Sequence, residues 1–489
     1  MNGILNLDFM HYTTVISLEM SDEPKLYVFG IGGTGSRVLR SLTMMMAAGV
    51  KIGVDEIVPI IIDPDASNQN LTDTVKLMND YRAIRKFLSF PQGVETQFFR
   101  KELSQLLPND TLHIQNTNNK LFKQFIGLSS IQSKPTQAMM RMLFSDKNLN
   151  SSMDVGFKGN PNIGSVVLNQ IVTSQDFASF ANNFAAGDKN FIISSIFGGT
   201  GASGFPLLLK TLRTNNTMPN FQLINNAEIG AVTVLPYFKV EQDPNSEIDS
   251  STFISKTKSA LAYYEDNIIN NNSINALYYL ADDVANVYEN HEGGTAQRNA
   301  AHIIEFLAAT AIADFSNDNF QLGTTVNKEL GINDVNECAI FDSFDDELQR
   351  ALLPPLTEFL MMANCLTYKE SYYRSRSFSA NYDHFNGLYD SQFFRGLKTM
   401  CWSYKEWLKE LKDNKRSLDL FNLADTDKPF EVVTGRTPKK IASLKSDYDL
   451  ITARLNSAVK HCNSNKDEDK FLEMFFLGLQ RILREKFNA

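Results

Sequence analysis

Three glycine-rich stretches carry the residue types in this chain most able to do chemistry. The one from Gly198 to Gly204, GGTGASG, follows a short apolar run, Phe191 to Ile196, and precedes an apolar run with helical spacing that starts at Phe205. That order reads as strand, tight loop, helix. Glycine lets such a loop turn sharply and lets a ligand approach the backbone. Amide N–H groups converge where the helix begins, and the helix dipole favours an anion there. A phosphate group fits that chemistry. The other two stretches are GIGGTGS, Gly30 to Ser36, and GFKGNPNIGS, Gly156 to Ser165.

The elements that must position these loops alternate along the chain. KLYVF from Lys25 reads as a buried strand, and RVLRSLTMMMAAG after the first loop reads as a helix with Val38, Leu39, Leu42 and Met45 on one side. A strand from Glu56 to Ile62 follows and ends in Asp63-Pro64-Asp65. This is a βαβ unit with acidic residues at a strand's carboxyl end, the place where ligands sit in such sheets. Helical patterns from Val166 to Phe184, Thr252 to Asn267 and Thr295 to Phe315 alternate with strands at Ile229 to Leu235 and Asn275 to Leu280. The expected fold class is therefore α/β, a doubly wound and mostly parallel sheet with a long central helix. Residues 1–24 read as an N-terminal arm, residues 25–315 as the sheet domain, and about 75–150 as a polar helical insertion within it. Residues 316–489 read as a largely α-helical C-terminal domain. One more strand is expected there at Glu337 to Phe341, with helices at Asp346 to Tyr373, Trp402 to Lys415 and Lys470 to Phe487. Pro354-Pro355 should kink or split the first of these helices.

Composition sets outer limits. A net charge of −9 leaves no basic footprint for nucleic acid. The four cysteines, Cys338, Cys365, Cys401 and Cys462, show no CxxC pairing, so neither a disulfide framework nor a metal cluster is expected. No apolar run reaches the roughly 18–20 residues of a membrane span, and no signal-peptide pattern opens the chain. The expectation is a cytoplasmic protein.

Taken in order, the loops resemble those of the tubulin/FtsZ superfamily of GTPases. GIGGTGS is similar to the N-terminal phosphate loop, and IVPIII with Asp63 and ASNQNL resembles the second loop. GFKGNPNIGS resembles the loop that contacts the terminal phosphate, and GGTGASG resembles the family signature. VLPYFKVE resembles the ribose-side segment, and the apolar helix with Asn299 resembles the long central helix whose early polar residue reads the guanine edge. The likeness covers roughly residues 25–315. The chain departs from the pattern after the central helix. The family has an acidic N-x-D-x-x-D loop there, which completes the site of the next subunit in a filament, whereas this chain reads ADFSNDNFQLGTT.

The resemblance implies a role for each of these residues. Gly32, Gly33, Thr34 and Gly35 would meet one side of a bound triphosphate, and Gly198, Gly199, Thr200 and Gly201 the other. Gly159 and Asn160 would reach the terminal phosphate and sense GTP against GDP. Asp63 and Asp65 would hold Mg²⁺ through water, Glu241 would accept from a ribose hydroxyl, and Asn299 would read guanine. His302, three residues on from Asn299, fits a core position better than a base contact, and Glu305 fits an interior hydrogen-bond partner. Asp314 and Asp318 are the catalytic candidates by position. The implied protein binds GTP or GDP with Mg²⁺, hydrolyses GTP, and assembles with itself into filaments or oligomers, its helical C-terminal region being free to take a protein partner. One alternative is a nucleotide-gated interaction protein that does not polymerise. Another is an adenylylating enzyme of the ubiquitin-activating type, with Arg82 and Lys86 near the phosphates.

Overall fold

The structure, a computed structural model, describes residues 24–487 apart from 66, 116, 118–119, 154–155, 158, 242–249, 284–285, 290–293, 322, 333–337, 376–384, 425 and 440–445. The expected N-terminal arm lies outside the described residues but for Pro24. Seven strands form the main sheet: β1 (Lys25–Ile31), β2 (Glu56–Ile62), β3 (Glu102–Leu103), β4 (Lys189–Ser195), β5 (Ile229–Val234), β6 (Ala276–Leu280) and β7 (Val326–Glu329). Their spatial order is β3-β2-β1-β4-β5-β6-β7, and every neighbouring pair is parallel. β1, β2 and β5 are largely apolar on both faces, and these strands and β4 are buried almost throughout, as a parallel sheet covered by helices requires.

Pro59 sits inside β2, where a missing N–H could break the ladder. The carbonyls of Ile57 and Ile61 accept from the Ser104 and Leu112 amides, so the residue midway between them faces the same side. β3 pairs only with Glu56 and Ile57, which leaves that stretch of edge without a ladder.

The helices that matter for the site are α1 (Gly32–Ala48), α2 (Gln69–Arg85), α3 (Pro161–Leu168), α4 (Gly199–Thr214), α5 (Phe253–Tyr264) and α6 (Ile303–Asn317). Further along lie α7 (Asp346–Tyr368), α8 (Gln392–Asp413), α9 (Asp447–Ala458) and α10 (Asp467–Phe487). α6 and α7 pack on α1, and α8 packs on α2. The indole N–H of Trp407, buried in α8, donates to Ser41 Oγ at 3.3 Å, so the C-terminal helices are joined to the first βαβ unit.

Several expectations change. The central helix starts at Ile303 rather than Thr295, which leaves Asn299 in the connection before it. The pattern over 166–184 divides into α3, a 3₁₀ turn and a helix from Gln175 to Asn183 whose N-cap is Ser174. α7 runs unbroken through Pro354 and Pro355. The carbonyls those prolines leave without a donor belong to Arg350 and Ala351, which are exposed and can be solvated. The strand expected at 337–341 is two residues long and pairs with Ser417–Leu418 outside the main sheet. The stretch 86–121 is mostly irregular, interrupted by Pro91, Gly93 and Pro108. Among the described residues, no helix is long and apolar enough to cross a membrane.

Candidate functional site

The strand order reverses between β1 and β4, and the crevice outside their carboxyl ends is where an open α/β sheet takes its ligand. A cavity of about 510 Å³ lies there, a size suited to a small molecule. Ile31 and Ser195, the last residues of β1 and β4, line it together with Gly32, Gly33 and Thr34 from the first loop and Gly198, Gly199, Thr200 and Gly201 from the last. Gly159 of the middle loop lines it too. α1 and α4 both begin at this cavity, so two helix N-termini and their free amides face one space.

The loops approach one another so closely that a side chain on their glycines would meet the neighbouring loop. Gly32, at φ +70°, would bring a Cβ to 3.4 Å from Thr200 Cβ. Gly199 would bring one to 3.0 Å from the Gly159 nitrogen and 3.1 Å from the Asn160 nitrogen. Gly35 has another task. It does not line the cavity, and a Cβ there would lie 2.3 Å from Gly30 C, so its bare Cα lets α1 lie on β1. Gly201 has both positions: it lines the cavity, and its Cα packs against Ser195, whose carbonyl oxygen would be 2.6 Å from a Cβ.

Asn160 differs from its expected role. Its amide nitrogen donates to Asn148 Oδ1 at 3.1 Å, and Gly159 rather than Asn160 lines the cavity. The middle loop is held from outside by Lys256 of α5, whose ammonium donates to Gly159 O at 2.9 Å.

Asp63 and Asp65 both line the cavity, but their carboxylates are differently occupied. Asp65 Oδ1 accepts from Ser67 N–H and O–H, and its Oδ2 accepts from Gly294 N–H at 2.6 Å. Asp63 Oδ1 accepts from Asp65 N–H at 3.0 Å, while its Oδ2 accepts only from Asn68 Nδ2, at 3.5 Å, among the described residues. Burial pushes the Asp63 carboxyl up to about 7, helped by the Asp65 charge, while the bonds from Asp65 N–H and Asn68 oppose it. Among the described residues, no group of three or more His, Cys, Asp or Glu could hold a metal ion. Mg²⁺ does not need such a group where phosphate oxygens supply the other ligands. Asp63 fits that use; Asp65, already spent on the loops, does not.

The rest of the cavity is built around Arg37, one turn into α1. Its Nε donates to Glu305, its Nη1 to Asn299 Oδ1 at 3.3 Å, and its Nη2 to the Tyr237 hydroxyl at 3.2 Å. Both Arg37 and Glu305 are buried. Burial pushes the Glu305 carboxyl above the ordinary carboxylate range, and the Arg37 charge and its hydrogen bond offset this only in part. Glu305 Oε2 also accepts from His302 N–H, while His302 Nδ1 accepts from Ile304 N–H at 3.1 Å. This reciprocal cap, pinned by Arg37, sets where α6 begins. Burial, with the Arg37 and Arg416 charges, holds His302 down at about 3, so the ring is neutral. With Nδ1 accepting, Nε2 carries the hydrogen, and that buried atom has no partner among the described residues. The ring lines the cavity, 4.6 Å from the Tyr237 ring.

Residues 294–302 form a strap stitched to the N-cap and first turn of α2. Asn299 N–H donates to Asn70 Oδ1 at 2.8 Å, Asn70 Nδ2 donates to Asn299 Oδ1 at 3.0 Å, and Asn68 Nδ2 donates to Gln297 Oε1 at 3.0 Å. Asn299 thus lines the cavity from the irregular connection before α6. Glu241 is exposed just after the two-residue strand Lys239–Val240, which pairs with Val287–Tyr288; Val240, not Glu241, lines the cavity.

Asp314 and Asp318 do not line the cavity. They stand at the far end of α6, where Lys328 of β7 donates to both, at 2.7 and 2.6 Å, and the Tyr278 hydroxyl donates to Asp314 at 2.6 Å. Arg82, offered by the adenylylating alternative, is also elsewhere, in a bidentate pair with the buried Asp110. Site residues missed in the sequence include Arg37, Asn68, Gln297, Tyr288, Asn414 and Lys415. A cation one turn after a glycine loop, within an apolar helix, was a usable signal for Arg37. Asn68 lies within ASNQNL, the stretch that resembles the second loop, and could have been named from it. The other four gave no signal, because they reach the cavity only through long-range packing.

No family model matches the chain, and no curated protein matches it. Among solved structures the chain is similar to CetZ2 from Haloferax volcanii in a GTPγS-bound protofilament, at 12% sequence identity and a TM-score of 0.28. The similarity covers 60% of this chain, which spans 58% of the length of that one.

Proposed function

We propose that this protein binds GTP or GDP in the cavity between β1 and β4, with the phosphates on the glycine loops and Mg²⁺ held by Asp63 and phosphate oxygens. One observation carries the reading: three loops from distant parts of the sequence, at Gly33, Gly159 and Gly199, line the same hollow at the sheet's switch point. Two helix N-termini supply amide donors there, which is how a polyanion is held without a cluster of cations. The order of the loops in the chain, similar to that of the tubulin/FtsZ superfamily, supports guanine nucleotide. It also makes self-assembly the first activity to look for. The test is titration of purified protein with GTP, GDP and ATP, followed by sedimentation with each. Saturable guanine-nucleotide binding supports the reading; absence of binding to all three nucleotides and to inorganic tripolyphosphate overturns it.

A second reading is favoured by a specific feature. Lys328 ties up Asp314 and Asp318, the only carboxylates offered for hydrolysis. In this reading the protein binds nucleotide, does not turn it over, and signals occupancy to a partner. Turnover that rises with protein concentration would exclude it.

A further inference from the structure

We propose that the end of helix α8 is a wall of the nucleotide site, with Lys415 touching the bound nucleoside and Glu410 and Asn414 positioning the strap that carries Asn299. Nucleotide occupancy and docking of the C-terminal helices are then linked. This rests on the nucleotide reading above.

Asn414 and Lys415 line the same cavity as the glycine loops, although more than 200 residues separate them from Gly199. Ala301 of the strap is held by α8 at both its backbone groups. Its N–H donates to Glu410 Oε2 at 2.9 Å, and its carbonyl accepts from Asn414 Nδ2 at 2.9 Å. Glu410 also takes both Arg40 nitrogens, at 2.7 and 3.0 Å, and Arg40 lies one turn beyond Arg37 on α1. Asn414 Oδ1 accepts from the Tyr288 hydroxyl at 2.7 Å, which fixes an aromatic lining residue. The positions of Asn299, Tyr288 and His302 therefore depend on α8 being in place.

Lys415 is the group free to meet a ligand. It is exposed, donates to Val287 O, and stands 5.2 Å from the centroid of the Tyr288 ring. An ammonium has three donors, and that one bond leaves others for a nucleoside stacked against Tyr288. A ligand that gains contacts only when α8 is docked must stabilise the docked state by the same factor.

The experiment combines hydrogen exchange with affinity, using the full chain. Bound GDP should slow amide exchange across residues 392–415. Lys415→Ala, at an exposed position that the fold tolerates, should weaken GDP about tenfold, the loss of a charge-assisted hydrogen bond. It should leave inorganic tripolyphosphate binding unchanged. Glu410→Gln should weaken GDP and reduce the exchange protection together. The proposal is overturned if GDP binds without altering exchange in α8, if Lys415→Ala binds GDP as wild type does, or if it loses tripolyphosphate equally. In each of those cases the wild-type protein still binds nucleotide, so the broader reading survives. Wild-type protein that binds neither GDP nor tripolyphosphate overturns both.

Discussion

The Cα of Gly199 faces the backbone nitrogen of Gly159 so closely that a Cβ would stand 3.0 Å away. Two loops forty residues apart in sequence are thereby held at contact distance, and the space they bound is the proposed phosphate site. Gly199→Val should separate them and abolish GTP binding, with only a modest loss in melting temperature because the change lies at the mouth of the sheet. Calorimetric titration alongside thermal denaturation checks this; wild-type affinity in the variant would remove the loops from the binding reading.

Arg37 and Glu305 form a buried pair that also fixes the start of α6. Removing one partner of such a pair leaves an uncompensated charge, at a cost of about 3–5 kcal/mol. Arg37→Met should lose stability in that range by chemical denaturation. The double variant Arg37→Met, Glu305→Leu should recover much of it while still binding nucleotide poorly, because Asn299 and Tyr237 lose the Arg37 contacts.

Lys328 holds Asp314 and Asp318 in a partly exposed cluster. Such pairs contribute about 0–1 kcal/mol, so Lys328→Met should leave stability nearly unchanged. If these carboxylates serve a neighbouring subunit's site, freeing them should raise GTP turnover in concentrated protein and not in dilute protein. A steady-state assay at two protein concentrations decides it.

Glu358 of α7 is buried, and burial pushes its carboxyl from the ordinary 4.5 up to about 8, against a smaller pull from the Arg484 charge. Between those values the folded state keeps a proton that the unfolded state has released. Its contribution is fully present below pH 4.5 and is lost as pH rises through about 8, at about 1.4 kcal/mol per pH unit. Glu358→Gln should flatten the wild-type decline in stability between pH 5 and 8, measured by urea unfolding at several pH values (on the order of 1.4 kcal/mol per unit).

His302 has the opposite sign. Folding lowers it from 6.5 to about 3, so the unfolded state binds the extra proton between those values and stability falls with acidification below pH 6.5. His302→Asn keeps a cap for α6 and removes the titration. The stability difference between wild type and variant should therefore shift in favour of the variant as pH drops from 6.5 toward 4 (roughly 1.4 kcal/mol per unit at most).

Local chemistry wrote much of this protein into its sequence. Continuous apolar runs ended by glycine at β1 and β4, and by aspartate or proline at β2, β5 and β6, determined those strands, and their alternation with helical patterns determined a parallel α/β sheet. The glycine loops were legible because a turn that presents bare backbone needs that residue. What the sequence could not determine was which neighbours would claim each polar group. Asp65 and Asp63 look alike in Asp63-Pro64-Asp65, yet only the folded chain brings Gly294 N–H to one of them. Asn160 turned to Asn148, Gly35 to the backbone of Gly30, and Lys328 to both catalytic candidates. The helix expected from Thr295 starts at Ile303 because a buried ion pair 268 residues apart in sequence fixes its cap. Periodicity records which faces of an element are apolar, a property of neighbours in the chain. Hydrogen bonds and ion pairs are settled by distance in space, and Lys415 reached the cavity by that route alone.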